Sequence, residues 1–355
     1  MHSDENSRIK LDAPSVDARA DLYPQELREP YIWLCGFIRD ECHRDLDNFI
    51  ERANKVKACH DKTTWSKIIR GRWNRDSNDR ELDTPVVKLT TLLREIEVIR
   101  NDSRIREQGG RVPFILTKTA RSIFDFVDKK RAPDRVCKFG IIIGHTGTGK
   151  TAALREYAQR NNHGAVVWLD APERPSVSRF KTDLAGRYGC GIHTSVSKKE
   201  TAISASVNDR RCIILENVQR LYDPRLEDRQ PIFEYLQKLQ EESGCTVILS
   251  HTPTFSTTFS AGRAKGFFEQ FEGRAGGAKT FLTLTDYPPD DDILAVAAAF
   301  ELQDADDHID YLKGLCREPG RIRILFETLQ EAKIRAVRRK EKLTIDHLKY
   351  VRDED

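Results

Sequence analysis

The sequence has little net charge, no closely paired cysteines and no long apolar run, and each absence excludes a class of protein. Its 59 basic and 56 acidic side chains leave a formal charge of +3 over 355 residues. Because the whole chain carries so little charge, a surface for a polyanion must be a local basic patch. The sequence also contains no internal repeat and no low-complexity tract.

The eight cysteines are scattered along the chain, and none stands in a CxxC pair of the kind that binds zinc. Several lie in apolar runs, as Cys212 does between Arg211 and Ile213, where a reduced cysteine packs as a small core residue. No apolar stretch resembles a signal peptide or approaches the length of a membrane span. The sequence therefore predicts a protein of the reducing cytoplasm that has no membrane partner.

Hydrophobic patterning changes twice along the chain. Apolar side chains recur at helical spacing from Tyr31, and after residue 112 short β-branched runs alternate with helical patterns. From residue 290 the pattern is helical to the end. The predicted segments are a flexible arm at 1–28, a small helical domain at 29–101, a linker at 102–111, an α/β core at 112–287 and a helical part at 288–355.

Five apolar runs rich in β-branched residues supply the predicted strands of the α/β core. Helical patterns separate these runs, which indicates a three-layer α/β domain with a largely parallel, five-stranded sheet. The predicted strands are 139–144, 165–170, 212–216, 246–251 and 280–284.

The most specific motif is GxxxxGK[ST], which follows the first predicted strand and opens a predicted helix. Its glycines let the backbone curl so that amides face an anion, and the helix adds its positive N-terminus. Lys150 is then expected to reach the β and γ phosphates of ATP, and the Thr151 hydroxyl to ligate Mg²⁺. A glycine-rich turn that binds nothing is disfavoured because strand, loop and helix stand in register. The predicted ATP-binding loop comprises Gly144, His145, Thr146, Gly147, Thr148, Gly149, Lys150 and Thr151.

A second acidic site is expected at the end of another strand, where Glu216 is followed by Asn217. Glu216 is the candidate Mg²⁺ ligand, directly or through water, and the alternative is a strand cap. ATPases of this class usually carry Asp and then Glu, whose carboxylate polarises the attacking water. An amide orients water but does not take its proton, so Asn217 predicts slow hydrolysis, with ATP acting partly as a structural switch.

The predicted strand at 246–251 also ends in polar side chains. His251 or Thr252 is a candidate sensor of the γ-phosphate at the end of this strand. Polar residues that merely end a strand are equally compatible with this pattern.

The C-terminal helical part carries a further ordered motif. Gly320-Arg321-Ile322-Arg323 is similar to the GxxR opening of the sensor-2 helix of AAA+ ATPases. The pattern that continues through Ala332, Ala336 and 343–348 resembles the MuB, TnsC and IstB family of transposition regulators. The resemblance also covers 112–123 and 153–158, and the layout is most similar to the MuB-like branch. It implies an AAA+ P-loop core with a C-terminal helical lid and a small all-α, helix-turn-helix-like N-terminal domain.

The same resemblance implies roles for several arginines. Arg323 is expected to act as the sensor-2 arginine of its own subunit, and the alternative is a solvated helix arginine. Family members also require an arginine from a neighbouring subunit. Arg274 is the first candidate for that residue, and Arg263 is the alternative.

The segment 64–73 resembles the recognition segment of the helix-turn-helix domain in the MuB-like branch. Basic residues there interleave with Trp65 and Trp73, a mixture suited to phosphate and base contacts. The alternative is a solvated helical domain with a small tryptophan core. The predicted DNA-binding residues are Lys67, Arg70, Arg72 and Arg75.

Together these features lead to the expectation of an ATP-dependent AAA+ regulator of transposition, with ATP and Mg²⁺ as cofactors. The family resemblance implies assembly on duplex DNA as a helical filament or ring, target selection, and recruitment or stimulation of a transposase. Two alternatives remain open: a nucleotide-gated, nearly non-hydrolysing scaffold that recruits a protein, and an AAA+ helicase loader or initiator. A small-molecule P-loop kinase is disfavoured because of the helical lid.

Overall fold

The computed structural model describes residues 11–354, apart from 43, 59, 76–79, 81, 83, 109–113, 162–164, 174, 189, 192, 227–228 and 261–264. The described residues form two compact units. The first unit draws on Met1–Val112, Ala158–Val167 and Lys181–Arg211, and the second on Pro113–Tyr157, Trp168–Phe180 and Cys212–Asp355. None of the helices in the described ranges is long and apolar enough to cross a membrane.

Helices precede the sheet. Their cores are built from aromatic residues, with the Trp33, Phe49 and Trp65 side chains fully buried. The hydroxyl groups of Tyr23 and Tyr31 donate to the carbonyls of Ile68 and Ile69, which lie at the C-terminal end of a helix. These helices are α1 (Ala13–Ala20), α2 (Gln25–Glu41), α3 (Leu46–Lys55), α4 (Lys62–Ile69) and α5 (Leu89–Gln108).

The N-terminal region differs from the sequence-based prediction at both ends. The predicted flexible arm at 1–28 contains α1 and the start of α2, and Leu11, Val16 and Tyr23 are buried there. The predicted linker at 102–111 is helical as far as Gln108, the end of α5. The arm contains few apolar residues among many polar ones, so its sequence did not indicate burial. The residues that bury them lie far away in the sequence.

Helix α1 is bound through its one acidic side chain, Asp17, to other parts of the first unit. Asp17 accepts hydrogen bonds from Asn208 at 2.6 Å and from Arg211 at 3.1 Å. The Arg211 side chain is only 3% exposed, and burial lowers its pKa while the charge of Asp17 opposes that change. Since a buried guanidinium needs a partner, Asp17 is expected to matter for the stability of this unit.

The sheet confirms the predicted α/β class. It has five parallel strands in the order β2-β3-β4-β1-β5. The strands are β1 (Phe139–Ile143), β2 (Val166–Asp170), β3 (Cys212–Glu216), β4 (Thr246–His251) and β5 (Leu282–Thr283). The three central strands β3, β4 and β1 are buried runs of branched apolar residues, as expected for a sheet covered on both faces.

Helices flank the strands along the chain. The helix α6 (Lys118–Arg131) precedes β1, and Thr117 caps it by accepting a hydrogen bond from the Ala120 amide at 3.1 Å. The sequence pattern does not single out α8, α9, α11 or α12. The remaining helices of the core are α7 (Lys150–Arg160), α8 (Val177–Arg187), α9 (Val196–Ser206), α10 (Pro231–Ser243), α11 (Pro253–Ser260) and α12 (Lys265–Ala275).

Four helices follow the sheet and form the lid: α13 (Asp290–Ala299), α14 (Ile309–Arg317), α15 (Ile322–Arg339) and α16 (Ile345–Glu354). They share a core that includes Leu312, Leu325 and Leu348. The buried carboxylate of Asp292 accepts the Lys118 amide at 2.6 Å. The first turn of α13 therefore binds amides at the start of α6 that have no partner within their own helix.

Candidate nucleotide-binding site

The loop between β1 and α7 has the backbone of an anion cradle. Gly147 and Gly149 have φ angles of 81° and 87°, which residues other than glycine rarely adopt. The Gly144 amide donates to the His251 carbonyl at 3.2 Å, so the start of the loop is held by the end of β4. Helix α7 begins at Lys150 and directs its positive end towards the loop. The local geometry fits a phosphate chain.

Lys150 is buried within this loop. Its Nζ donates to the carbonyls of Gly144 and His145, the latter at 2.8 Å. Burial lowers the pKa of Lys150 to about 8; Glu216 opposes this change, and the charge of Arg321 adds to it. A bound polyphosphate would favour the charged form of the Lys150 amine. The charged amine could then contact the β and γ phosphates, which is the role predicted for this residue.

Thr151 and Glu216 meet beside the loop. The Thr151 hydroxyl donates to Glu216 Oε1 at 3.0 Å, and the Trp168 indole N–H donates to Oε2 at 3.1 Å. Burial raises the pKa of Glu216, while the hydrogen bonds from Thr151 and Trp168 oppose that change. A hydroxyl and a carboxylate on adjacent elements are oxygen ligands of the type that Mg²⁺ takes. The residues predicted as metal ligands therefore lie together and fit the ion.

Asn217 adopts a left-handed backbone conformation directly after β3, with φ 55° and ψ 38°. Asparagine tolerates this conformation better than most residues. Its Nδ2 donates to Asp170 Oδ1 at 2.6 Å, and Arg220 donates to Asp170 Oδ2 at 3.3 Å. Sequence reasoning missed Asp170: its place at the end of a predicted strand was visible, but only the strand order of the sheet brings β2 beside β3.

The two sensor candidates of β4 lie next to each other. The His251 side chain is buried, its Nδ1 lies 2.9 Å from the Thr252 carbonyl, and its ring packs edge-on against Phe255. Burial lowers the pKa of His251 to about 4, so the ring is neutral at neutral pH. Thr252 is half-buried at the strand end. A sensor role for either side chain stays a prediction.

The lid reaches the loop through the residues that open α15. A Cβ placed on Gly147 would overlap the carbonyl oxygen of Gly320, so the two glycines allow a close backbone contact. The Arg321 guanidinium donates to the Thr146 carbonyl at 3.1 Å and to the Asp286 carbonyl. Arg323, the predicted sensor-2 arginine, is exposed on α15. Sequence reasoning missed Arg321, since the motif alone does not tell which arginine turns towards the loop.

The other predicted basic residues belong to other elements of the chain. Arg274 forms an ion pair with Glu241 of its own chain, and Arg263 lies outside the described residues. Lys67 and Arg70 are exposed on and after α4, and Arg70 Nε donates to Ser66 at 3.2 Å. Arg72 and Arg75 are half-buried. Their predicted roles at a subunit interface and on DNA stay predictions.

Two family models match this chain in sequence order. The first is an AAA domain at residues 134–259, and the second is the C-terminal domain of the Mu B transposition protein at residues 283–353. Two relatives, both named ATP-dependent target DNA activator B, come from Escherichia phages D108 and Mu. Each is 25% identical over 240 residues, which are 66% of this chain and 71% of the relative.

Similar solved structures include the ORC1 protein of Aeropyrum pernix in complex with DNA. Its identity is 18% and its TM-score 0.48, covering 69% of this chain and 67% of that chain. The Cdc6p protein of Pyrobaculum aerophilum has 15% identity and a TM-score of 0.43, with 66% of each chain covered.

Proposed function

This chain is a Mu B-like AAA+ protein, and we propose that it is an ATP-dependent, DNA-binding regulator of DNA transposition. The resemblance first drawn from the lid and the loop is confirmed by the AAA and Mu B C-terminal models, which match in the predicted order. The relatives' shared name, ATP-dependent target DNA activator B, supports ATP-dependent action on target DNA.

The contact between Thr151 and Glu216 is the observation that carries the ATP-dependent part of this proposal. It brings a hydroxyl and a carboxylate together at the end of the loop that contains Lys150. In the proposed complex Lys150 binds the β and γ phosphates, and Thr151 and Glu216 hold Mg²⁺. The ion would supply positive charge that neutralises the phosphate oxygens, while the protein orients the phosphates of ATP and excludes water.

The finer proposal is a switch between two assembly states. With ATP bound, copies of this chain assemble on duplex DNA as a helical filament or ring and recruit or stimulate a transposase. Arg274 of a neighbouring copy completes the ATP site, and hydrolysis dismantles the assembly. The ion pair between Arg274 and Glu241 requires Arg274 to exchange its partner on assembly.

Steady-state hydrolysis with and without duplex DNA tests the enzymatic part. Phosphate release is expected to be slow, to rise when DNA is added, and to be abolished by Lys150→Ala. Lys238→Ala, which removes an exposed lysine ion-paired with Glu242 on α10, is the matched control and is expected to leave the rate unchanged. Turnover that survives Lys150→Ala would contradict the assignment of the loop.

A second candidate function is a nucleotide-gated scaffold that recruits a protein and hardly hydrolyses ATP. Asn217 favours it, because the position that usually holds a glutamate here holds an amide. Electron microscopy of negatively stained complexes distinguishes the two functions when combined with the phosphate-release assay. Assembly on DNA that needs ATP, together with an absence of turnover, would support the scaffold and remove hydrolysis from the cycle.

Contact with DNA is tested by the salt dependence of binding. Each phosphate contact makes log affinity fall with log salt, by about 0.9 per contact on duplex DNA. Replacing the exposed Lys67 and Arg70 with alanine is expected to reduce the slope by about two. Lys55→Ala, on neighbouring α3, is the control and pairs with Glu51. A slope that the double variant leaves unchanged would exclude these residues as DNA contacts.

A further inference from the structure

The amide of Asn217 leaves the proposed hydrolysis without an obvious base. A base for the attacking water must accept a proton, and a carboxamide does not do so at neutral pH. Glu216 is committed to Thr151 and Trp168 through its two carboxylate oxygens. Turnover, on which this inference rests, therefore needs a carboxylate from another element.

The carboxylate that accepts a hydrogen bond from Asn217 is that of Asp170. Strands β2 and β3 are neighbours in the sheet, and Asp170 is the last residue of β2. The backbone amide of Ala171 donates to the Glu216 carbonyl at 3.0 Å, which aligns the two strand ends. Asp170 Oδ1 then accepts the Asn217 amide at 2.6 Å. Asp170 and Asn217 therefore lie at the ends of neighbouring strands, and both belong to the second unit.

The Asp170 carboxylate is held from two sides and remains accessible to solvent. Arg220 donates to Oδ2 at 3.3 Å and to the Ala171 carbonyl at 3.2 Å, so it bridges the side chain and the backbone. The Asp170 side chain is 42% exposed. In the described structure each oxygen accepts one hydrogen bond, and a carboxylate oxygen has room for a second. A water molecule can therefore donate to a carboxylate whose orientation is already set.

The left-handed backbone explains why an amide stands at 217. Most side chains are strained at a φ of 55°, whereas glycine, asparagine and aspartate tolerate this conformation. Asparagine meets this requirement and also donates the hydrogen bond that orients Asp170. A glutamate at 217 would add strain and place two carboxylates against each other.

We propose that Asp170 is the catalytic base of ATP hydrolysis and that Asn217 is the residue that positions it. One proton of the attacking water passes to the Asp170 carboxylate. The water oxygen forms a bond to the γ-phosphorus, and the bond from that phosphorus to the β–γ bridging oxygen breaks. The products are ADP and inorganic phosphate, and Asp170 later returns its proton to solvent.

A merely structural role for Asp170 makes a different prediction. As a cap that joins β2 to the turn after β3, Asp170 would affect stability and ATP binding together. As the base, it would affect the hydrolytic step and leave ATP binding unchanged. Measuring the two quantities separately on the full chain therefore distinguishes the roles.

The experiment combines single-turnover hydrolysis with equilibrium binding of a fluorescent ATP analogue, both with Mg²⁺ and duplex DNA. Asp170→Asn is expected to slow hydrolysis at least about 100-fold and to change the dissociation constant less than about threefold. Nucleotide extracted from this variant is expected to be ATP, whereas the wild-type chain yields ADP. Asp223→Asn, which removes a carboxylate paired with Arg225 in the segment that follows β3, is the control and is expected to behave as wild type.

The double variant Asp170→Asn with Asn217→Asp exchanges the acid and the amide across their hydrogen bond. It is expected to be at least about tenfold faster than Asp170→Asn alone, because one carboxylate again faces the water. A double variant no faster than the single one would overturn the assignment. So would hydrolysis that survives Asp170→Asn, or a loss of rate matched by an equal loss of binding.

Failure of the proposed function gives a different result. A wild-type chain that binds the ATP analogue but releases no phosphate contradicts hydrolysis itself, and the assignment of Asp170 falls with it. Wild-type turnover that Asp170→Asn leaves intact contradicts only the assignment.

Discussion

Asn217 and Arg321 both hold backbone conformations that favour glycine, and both lie beside the candidate ATP site. Asn217 is left-handed, which an asparagine tolerates, but Arg321 has φ 52° and ψ −127°. Strain of this kind costs about 1–3 kcal/mol and persists where neighbouring contacts enforce it. The guanidinium of this strained residue donates to the carbonyl of Thr146 in the loop. From the strain and this contact together we expect Arg321 to have a role at the loop.

Replacing Arg321 is expected to weaken binding of ATP more than binding of ADP. Arg321→Ala removes the guanidinium that donates to the Thr146 carbonyl of the loop. We expect this guanidinium to contact the γ-phosphate once ATP is bound, and the loss of such a charge-assisted contact reduces ATP affinity about tenfold. Arg323→Ala is the matched comparison on the same helix, with an expected change below about threefold. Equilibrium titration with fluorescent ATP and ADP analogues measures both. A larger effect of Arg323→Ala would support the sensor-2 role predicted for Arg323 from the motif.

Among elements, the lid and the phosphate loop meet at two glycines. A Cβ on Gly147 would overlap Gly320, whereas a Cβ on Gly149 would meet no atom within 4 Å. Both positions have positive φ angles. Alanine at either position therefore tests backbone strain, but only alanine at 147 also disturbs the contact with the lid.

Gly147→Ala is expected to destabilise the protein more than Gly149→Ala. Each substitution incurs about 1–2 kcal/mol for the left-handed conformation, which lowers the melting temperature by roughly 2–4 °C per kcal/mol. Only Gly147→Ala also forces Gly320 and the start of α15 away from the loop, so its shift is expected to be at least about twofold larger. Calorimetry without nucleotide measures both shifts. Equal shifts would show that the lid contact contributes nothing to stability.

Helix α1 depends on one buried ion pair. Asp17→Ala leaves the Arg211 guanidinium buried without its carboxylate, which is expected to cost about 3 kcal/mol of the free energy of unfolding. Asp21→Ala is the control on the same segment; its ion pairs with Arg28 and Arg210 are exposed, so less than about 1 kcal/mol is expected. Urea unfolding followed by tryptophan fluorescence compares the two. If Asp17→Ala lowered the free energy of unfolding no more than Asp21→Ala does, the buried ion pair would not be what holds α1 in place.

At the scale of the whole molecule, the proposed ATP site is shared between copies of the chain. Arg274→Ala and Lys150→Ala are each expected to abolish turnover, since one lacks the arginine offered to a neighbour and the other lacks the phosphate-binding lysine. Mixing the two variants is expected to restore part of the rate, because some interfaces then combine an intact loop with an intact Arg274. Phosphate release measured across mixing ratios checks this. A mixture as inactive as its components would exclude Arg274 as the arginine donated between subunits.

The strands of the sheet were largely predictable from sequence. β3 and β4 coincide with predicted runs, because buried parallel strands are short, apolar and rich in β-branched residues. The loop from Gly144 to Thr151 was equally predictable, since its chemistry lies in consecutive residues. The burial of α1 was not, because it depends on partners such as Arg211 almost two hundred residues away.

The sequence by itself determined the class of fold, the phosphate loop and the pairing of Glu216 with Asn217, because these features depend on local spacing and residue type. Only the tertiary structure decided which arginine of the lid contacts the loop and which carboxylate lies against Asn217. Arg321 and Asp170 reach those places through strand order and backbone conformation. Neighbours in a sheet need not be neighbours in the chain, so spacing along the sequence carries no record of such contacts.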